Sequence, residues 1–141
     1  MRDHPFNQLM KHFLLFCIAF ILFVTTAPIG FLYALIRQLF FKSISSLSVF
    51  LLQVALALDI AGNILMQHVL NDALLIKNQN THYFGNTKET ISSVLGKNSL
   101  TQTLNAAGRG LNSFLNWLDK NHTLNSIMYD IKTGKWVVKQ N

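Results

Sequence analysis

Between Glu89 and His122 the chain collects the residue types used in acyl transfer. Hydroxyls stand at Ser92 and Ser93, carboxylates at Glu89 and Asp119, amines at Lys88 and Lys97, and an imidazole at His122. A serine becomes a nucleophile only when a base lies within hydrogen-bond reach and both are held in a pocket. No nucleophile-elbow glycine pattern surrounds either serine. Read locally, Ser92 and Ser93 are helix-surface hydroxyls, Glu89 is a helix cap, and Asp119 with His122 ends a helix. The polar cluster Glu89, Ser92, Ser93, Lys97, Asp119 and His122 is therefore a candidate site, while the expectation for the whole chain is a non-enzyme.

A second constellation lies earlier. Asp59, Asn63 and Gln67 recur every four residues with Gly62 beside them, which puts them on one helix face. The surrounding sequence is apolar, and an ionisable group near the middle of a membrane span costs about 2.5 kcal/mol or more. The expected remedy is a helix–helix contact, with Asp59, Asn63 and Gln67 bonding to a partner helix and Gly62 allowing close approach. That makes a homo-oligomer the expected state, with a water-lined path or a shallow interfacial helix as alternatives. His68 and Asp72 share a face further on, a spacing suited to a hydrogen-bonded pair or half a metal site. His82 and His122 have no companions at recognised ligand spacing, and no glycine loop suits a phosphate, so no metal and no cofactor is expected.

These residues must be positioned by strongly apolar elements. Phe13 to Ile36 contains no charged residue, and a helix over it is long enough to cross a bilayer core of about 30 Å. Residues 1–12 form a polar leader with Arg2 and Lys11. Thr25-Thr26-Ala27 imitates a signal-peptide cleavage site, but Pro28 follows it and apolar sequence continues, so an uncleaved anchor is expected. Arg37 to Lys42 has the cations and aromatics of a headgroup-level connector. A second span is expected over about 46–68. The fold class is thus an all-α membrane protein: two N-terminal transmembrane helices forming a hairpin over 13–76, a linker at 77–85, and a small basic domain over 86–141. The charges near the span ends favour both termini in the cytoplasm.

Composition agrees with this division. Nine of the eleven Phe lie within the first fifty positions, whereas Asn, Thr, Ser, Lys and Gly dominate after Ile76. The formal charge of +6 resides mostly in the polar half, which suits a surface of anionic headgroups. Its cations are scattered without a reading motif, which argues against nucleic acid. Cys17 is the single cysteine and lies in the first apolar run, so no intrachain disulfide exists.

Within the polar half, Asn86-Thr-Lys-Glu89 and Ser99-Leu-Thr-Gln102 both match the capping-box pattern. The first predicts a short helix stopped at Gly96. The second predicts a helix with an apolar stripe at Leu100, Leu104, Ala107, Leu111, Leu115 and Leu118, widened by Phe114 and Trp117. Gly108 and Gly110 inside it imply close packing against a neighbour. Alternation at Ile127, Tyr129 and Ile131, a turn at Lys132-Thr-Gly134 and Trp136-Val-Val138 predict a terminal β-hairpin.

Three stretches together resemble small membrane-anchored proteins encoded by bacteriophages and prophages. They are Asp59-Ile-Ala-Gly-Asn63, Phe84 to Ser93 with Gly96-Lys-Asn98, and Asp119-Lys-Asn-His122 followed by Ser126-Ile127. The resemblance covers Asp59 to Ile127 and implies a setting, the inner membrane of an infected or lysogenic bacterium, without a mechanism or a catalytic residue. The functional expectation is a membrane-anchored interaction or envelope-modulating module with the lipid bilayer, further copies of itself or another protein as partner. A holin-like pore former and a small serine hydrolase built on Ser92 or Ser93 with His122 are the alternatives.

Overall fold

A computed structural model describes residues 5–127, 129–130 and 135–136. Helix α1 spans Pro5–Phe41 and α2 spans Ile44–Leu65, both long and apolar enough to cross a membrane. At 1.5 Å per residue α1 is about 55 Å long, so part of it outlasts a hydrocarbon core. The leader expected to be a separate polar segment is helical from Pro5 onward. Pro28 lies inside α1, where its missing N–H leaves one carbonyl of the preceding turn without its usual donor. The hydroxyls of Thr25 and Thr26 bond back to the carbonyls of Ile21 and Leu22 in that region.

The chain divides into two compact units, Met1–Leu51 and Leu52–Asn141, so α2 begins in one and ends in the other. In the first unit, Phe31 stacks with Phe50 at 5.9 Å and Ser46 Oγ donates to Gln38 Oε1 at 2.7 Å. Otherwise the large side chains of α1 face outward, from Phe6 to Phe40.

The second unit is built from the end of α2, α3 (Gln67–Leu74), α4 (Ile91–Leu100), α5 (Ala106–Leu118) and α6 (His122–Asn125). Helix α4 is the centre, packed by α5 and α6, and α3 packs on α5. A small core of Leu70, Leu74, Leu75, Phe84, Val94, Leu95 and Leu104 fills the space, flanked by Ile91, Leu111 and Leu115. A bridge between Leu75 and Leu104, with Ile76 N–H donating to Thr103 O at 2.8 Å, closes the fold. Tyr129–Asp130 pairs antiparallel with Lys135–Trp136. The rest of the expected hairpin lies outside the described residues.

Both capping-box expectations need correction. Helix α4 starts at Ile91 with Thr90 as its cap, whose side chain accepts from Ser93 N–H; Asn86 and Glu89 sit in the preceding turn. Ser99 and Leu100 end α4 instead of opening α5, whose cap is Asn105, accepting from Gly108 N–H at 3.0 Å. Gln102 between them takes a positive φ of 56°, which breaks the helical path. The pattern of Ser, Thr or Asn followed three residues later by Glu or Gln recurs by chance in a chain rich in Ser, Thr and Asn, and tertiary packing chose other caps. Gly96 likewise does not stop α4. It lies mid-helix against the backbone of Thr123, where any Cβ would collide with a carbonyl. Gly108 presses against Leu74 O as close packing requires, whereas Gly110 faces open space.

Candidate functional site

The polar stripe of α2 does not wait for another helix, because its own chain occupies it. Asn63 is fully buried, its Nδ2 donating to Asn86 O and Glu89 O at 2.9 Å each and its Oδ1 accepting from Gly85 N–H at 3.0 Å. Asp59 Oδ1 accepts from Ile91 N–H at 2.9 Å, and Oδ2 accepts from Ser92 Oγ at 3.0 Å. Gly62 lies against the Ile91 side chain, and Gly85, at φ 115°, comes so close to Gln67 that a Cβ there would clash. Gln67 Nε2 donates to Ile64 O. Asp59, Gly62, Asn63 and Gln67, expected to meet a partner helix, thus all make contacts within their own chain. Contacts with residues about twenty to thirty positions away are invisible to helical periodicity.

The segment expected to be a linker is held with equal care. Asn71 Oδ1 accepts from Phe84 N–H and its Nδ2 donates to Phe84 O, at 2.8 and 3.2 Å. Asn98 does the same to His82, at 3.0 and 2.7 Å. With Asn63 on Gly85 and Asn86, three carboxamides satisfy residues 82–86 much as a neighbouring β-strand would. An amide side chain carries both the donor and the acceptor of a peptide group, which is why Asn suits this task. Asn71 has no marker in the sequence, and Asn98 stands out there only as the end of the Gly96-Lys-Asn98 stretch. The remaining signal is the abundance of Asn at positions that helices disfavour.

Glu89 and Lys97 form a fully enclosed ion pair through Oε1, and Ser93 Oγ donates to the same oxygen at 3.1 Å. Asn86 Nδ2 reaches Glu89 Oε2 at 3.3 Å. A buried charge is tolerated only when paired and hydrogen-bonded, and Glu89 meets both conditions. Glu89 is therefore not a helix cap, and Ser93 is a structural ligand of this carboxylate.

Ser92 belongs to a different chain of contacts. Its Oγ lies 3.3 Å from His122 Nε2, and His122 Nδ1 lies 3.2 Å from Asp119 Oδ2. The six-residue polar cluster thus separates into two groups, Glu89–Ser93–Lys97 inside and Asp59–Ser92–His122–Asp119 reaching the surface. Ser92 is 5% exposed, the His122 side chain 37% and that of Asp119 71%. Among the described residues every buried side-chain polar atom has a hydrogen-bond partner.

Elsewhere, Asp72 is bonded to Lys77 at 2.5 Å instead of to His68. The Lys77 ammonium holds the Asp72 carboxyl below the usual range, and the carboxylate raises Lys77 in return. Among the described residues no three His, Cys, Asp or Glu side chains converge in a way that could hold a metal ion. No family model matches the chain, and no curated protein or solved structure is found to match it.

Proposed function

We propose that the protein is a membrane-anchored module whose polar domain is built directly onto the end of its second apolar helix and acts at the bilayer surface. The observation that carries this reading is the Asp59–Asn63 docking: Gly85, Asn86, Glu89, Ile91 and Ser92 are all bonded to side chains of α2. A domain fixed this way cannot range far from the helix end, so what it contacts lies within reach of the lipid.

The outer face of α5 supports the lipid surface as that contact. Phe114, Trp117 and Leu118 are exposed there, Phe114 and Trp117 stack at 6.1 Å, and Lys120 is exposed two residues past Leu118. Aromatic side chains with a cation close in sequence suit an interface of anionic headgroups. The inner membrane of a phage-carrying bacterium is the setting in which the module would modulate the envelope. Self-association would use a surface other than the Asp59/Gly62/Asn63 face, which these contacts fill.

Flotation of the full chain with vesicles tests the anchoring: it is expected to float and to resist carbonate extraction, and recovery in the soluble fraction without detergent would refute it. For the surface contact, the double change Phe114→Ser with Trp117→Ser is expected to loosen protease protection of the α5 region on anionic vesicles. Identical protection in both proteins would refute that contact.

A further inference from the structure

The polar domain carries one arrangement that goes beyond docking: the Ser92 hydroxyl that bonds to Asp59 also reaches His122. We propose that Ser92 is a nucleophile for acyl transfer, with His122 as its base and Asp119 as the residue that orients the imidazole. The order Ser92 Oγ, His122 Nε2, His122 Nδ1, Asp119 Oδ2 runs at 3.3 and 3.2 Å, close to the reach of a catalytic triad at rest. Three separate elements deliver it: Ser92 from the first turn of α4, Asp119 from the end of α5, and His122 from the start of α6. Gly96 is what allows the last of these, because only a residue without Cβ lets the α6 backbone at Thr123 approach α4 so closely.

The start of α4 adds a donor. Its first amides have no intrahelical acceptor. Ile91 N–H is taken by Asp59 and Ser93 N–H by Thr90; the Ser92 amide between them is taken by neither. A carbonyl attacked by Ser92 Oγ would develop its negative oxygen near that amide.

In the reaction, Ser92 Oγ bonds to the carbonyl carbon of an ester or activated amide while its proton passes to His122 Nε2. The bond from carbon to the leaving group breaks, and the departing oxygen or nitrogen takes that proton from His122. Water then attacks the acyl-serine and gives a proton to His122. The carbon–Oγ bond breaks, Ser92 recovers the proton, and a carboxylic acid is released. Asp119 keeps the Nδ1 proton facing away from Ser92 throughout.

Asp59 sets the resting state. Ser92 has one proton and two acceptors for it, Asp59 Oδ2 at 3.0 Å and His122 Nε2 at 3.3 Å. The nearer carboxylate holds the hydroxyl away from its base. In Asp59→Asn, the amide oxygen keeps the Ile91 N–H bond and the NH2 donates to Ser92 Oγ, which turns the Ser92 proton toward His122. The substitution that would merely loosen a structural contact is therefore expected to activate the serine.

The test is a fluorophosphonate probe applied to the full chain in detergent micelles, followed by mass spectrometry of the adduct. Wild type is expected to label on Ser92, Ser93→Ala to label equally, and His122→Ala to label at least ten-fold more slowly. Asp59→Asn is expected to label faster than wild type. Asp119→Asn is expected to slow labelling and Asp119→Glu to restore part of it, a rescue that a purely structural carboxylate would not give. An adduct on any other residue, or no adduct on wild type and Asp59→Asn alike, overturns the proposal. Because wild type itself is expected to carry the adduct on Ser92, location of the adduct is read on the unmodified chain, and circular dichroism of Asp59→Asn confirms that the variant compared with it is folded.

Discussion

Helix α1 and the unit that follows Leu52 solve opposite problems. Along α1 the large apolar side chains point outward, with Leu14, Ile21, Phe23 and Leu32 each more than half exposed. None of the described residues of the first unit covers them, so a surrounding apolar solvent is the simplest means of removing them from water. Among the described residues of the second unit, ten polar or charged side chains are buried against seven hydrophobic ones. A core so small could not hold that unit by area alone, and its specificity rests on hydrogen bonds that must all be met together. One region tolerates almost any apolar substitution; the other should tolerate few polar ones.

That contrast can be broken most sharply at the buried ion pair. Removing one partner, as in Lys97→Met, strands the Glu89 carboxylate and is expected to destabilise the second unit by about 3–5 kcal/mol. Glu89→Gln combined with Lys97→Met is expected to recover part of the loss, as thermal unfolding by circular dichroism in detergent would show. A single change as mild as the double one would mean the pair is not enclosed.

Leu95→Ala, in the core, is expected to cost about 2–5 kcal/mol, whereas Leu22→Ala in α1 should leave the unfolding of the second unit unchanged. Equal effects would erase the comparison. Gly96→Ala forces a methyl against the Thr123 backbone and is expected to cost about 1–3 kcal/mol, with hydrogen exchange rising first in α6.

Asn63→Leu leaves Gly85 N–H and two carbonyls unmet, at about 1–3 kcal/mol for a buried group without its partner. Faster exchange across residues 85–92 is the expected signature, and unchanged exchange there would contradict the docking.

The smallest effect belongs to Asp72 and Lys77, which are exposed. Pairing lowers the Asp72 carboxyl below its unfolded value, so its contribution is present above the ordinary carboxylate range and fades as pH falls through the lowered value. Asp72→Asn should flatten only that acid-side portion of the pH–stability curve; a loss at neutral pH comparable to that of Asn63→Leu would show that surface charge matters more here than burial.

The two apolar helices were legible because length and hydropathy are local properties: Phe13 to Ile36 announces a helix without knowledge of anything else. The stripe at Asp59, Gly62 and Asn63 was equally visible, but its partner was not, since periodicity says which residues share a face and nothing of what meets it. The polar half misled for a related reason. Asn86–Glu89 and Ser99–Gln102 satisfy a capping pattern that four residues can match without folding that way. The caps used, Thr90 and Asn105, depend on where Asp59 and Leu74 O are in space.

The amino-acid order alone determined that the chain has two long apolar helices and a polar remainder, because burial in an apolar solvent is decided residue by residue. Only the tertiary structure decided that Asn63, Asn71 and Asn98 secure one loop, that Glu89 is enclosed with Lys97, and that Ser92 meets His122. Hydrogen bonds are directional and short, so which groups satisfy one another is fixed by three-dimensional approach across tens of residues and has no signature in spacing along the chain.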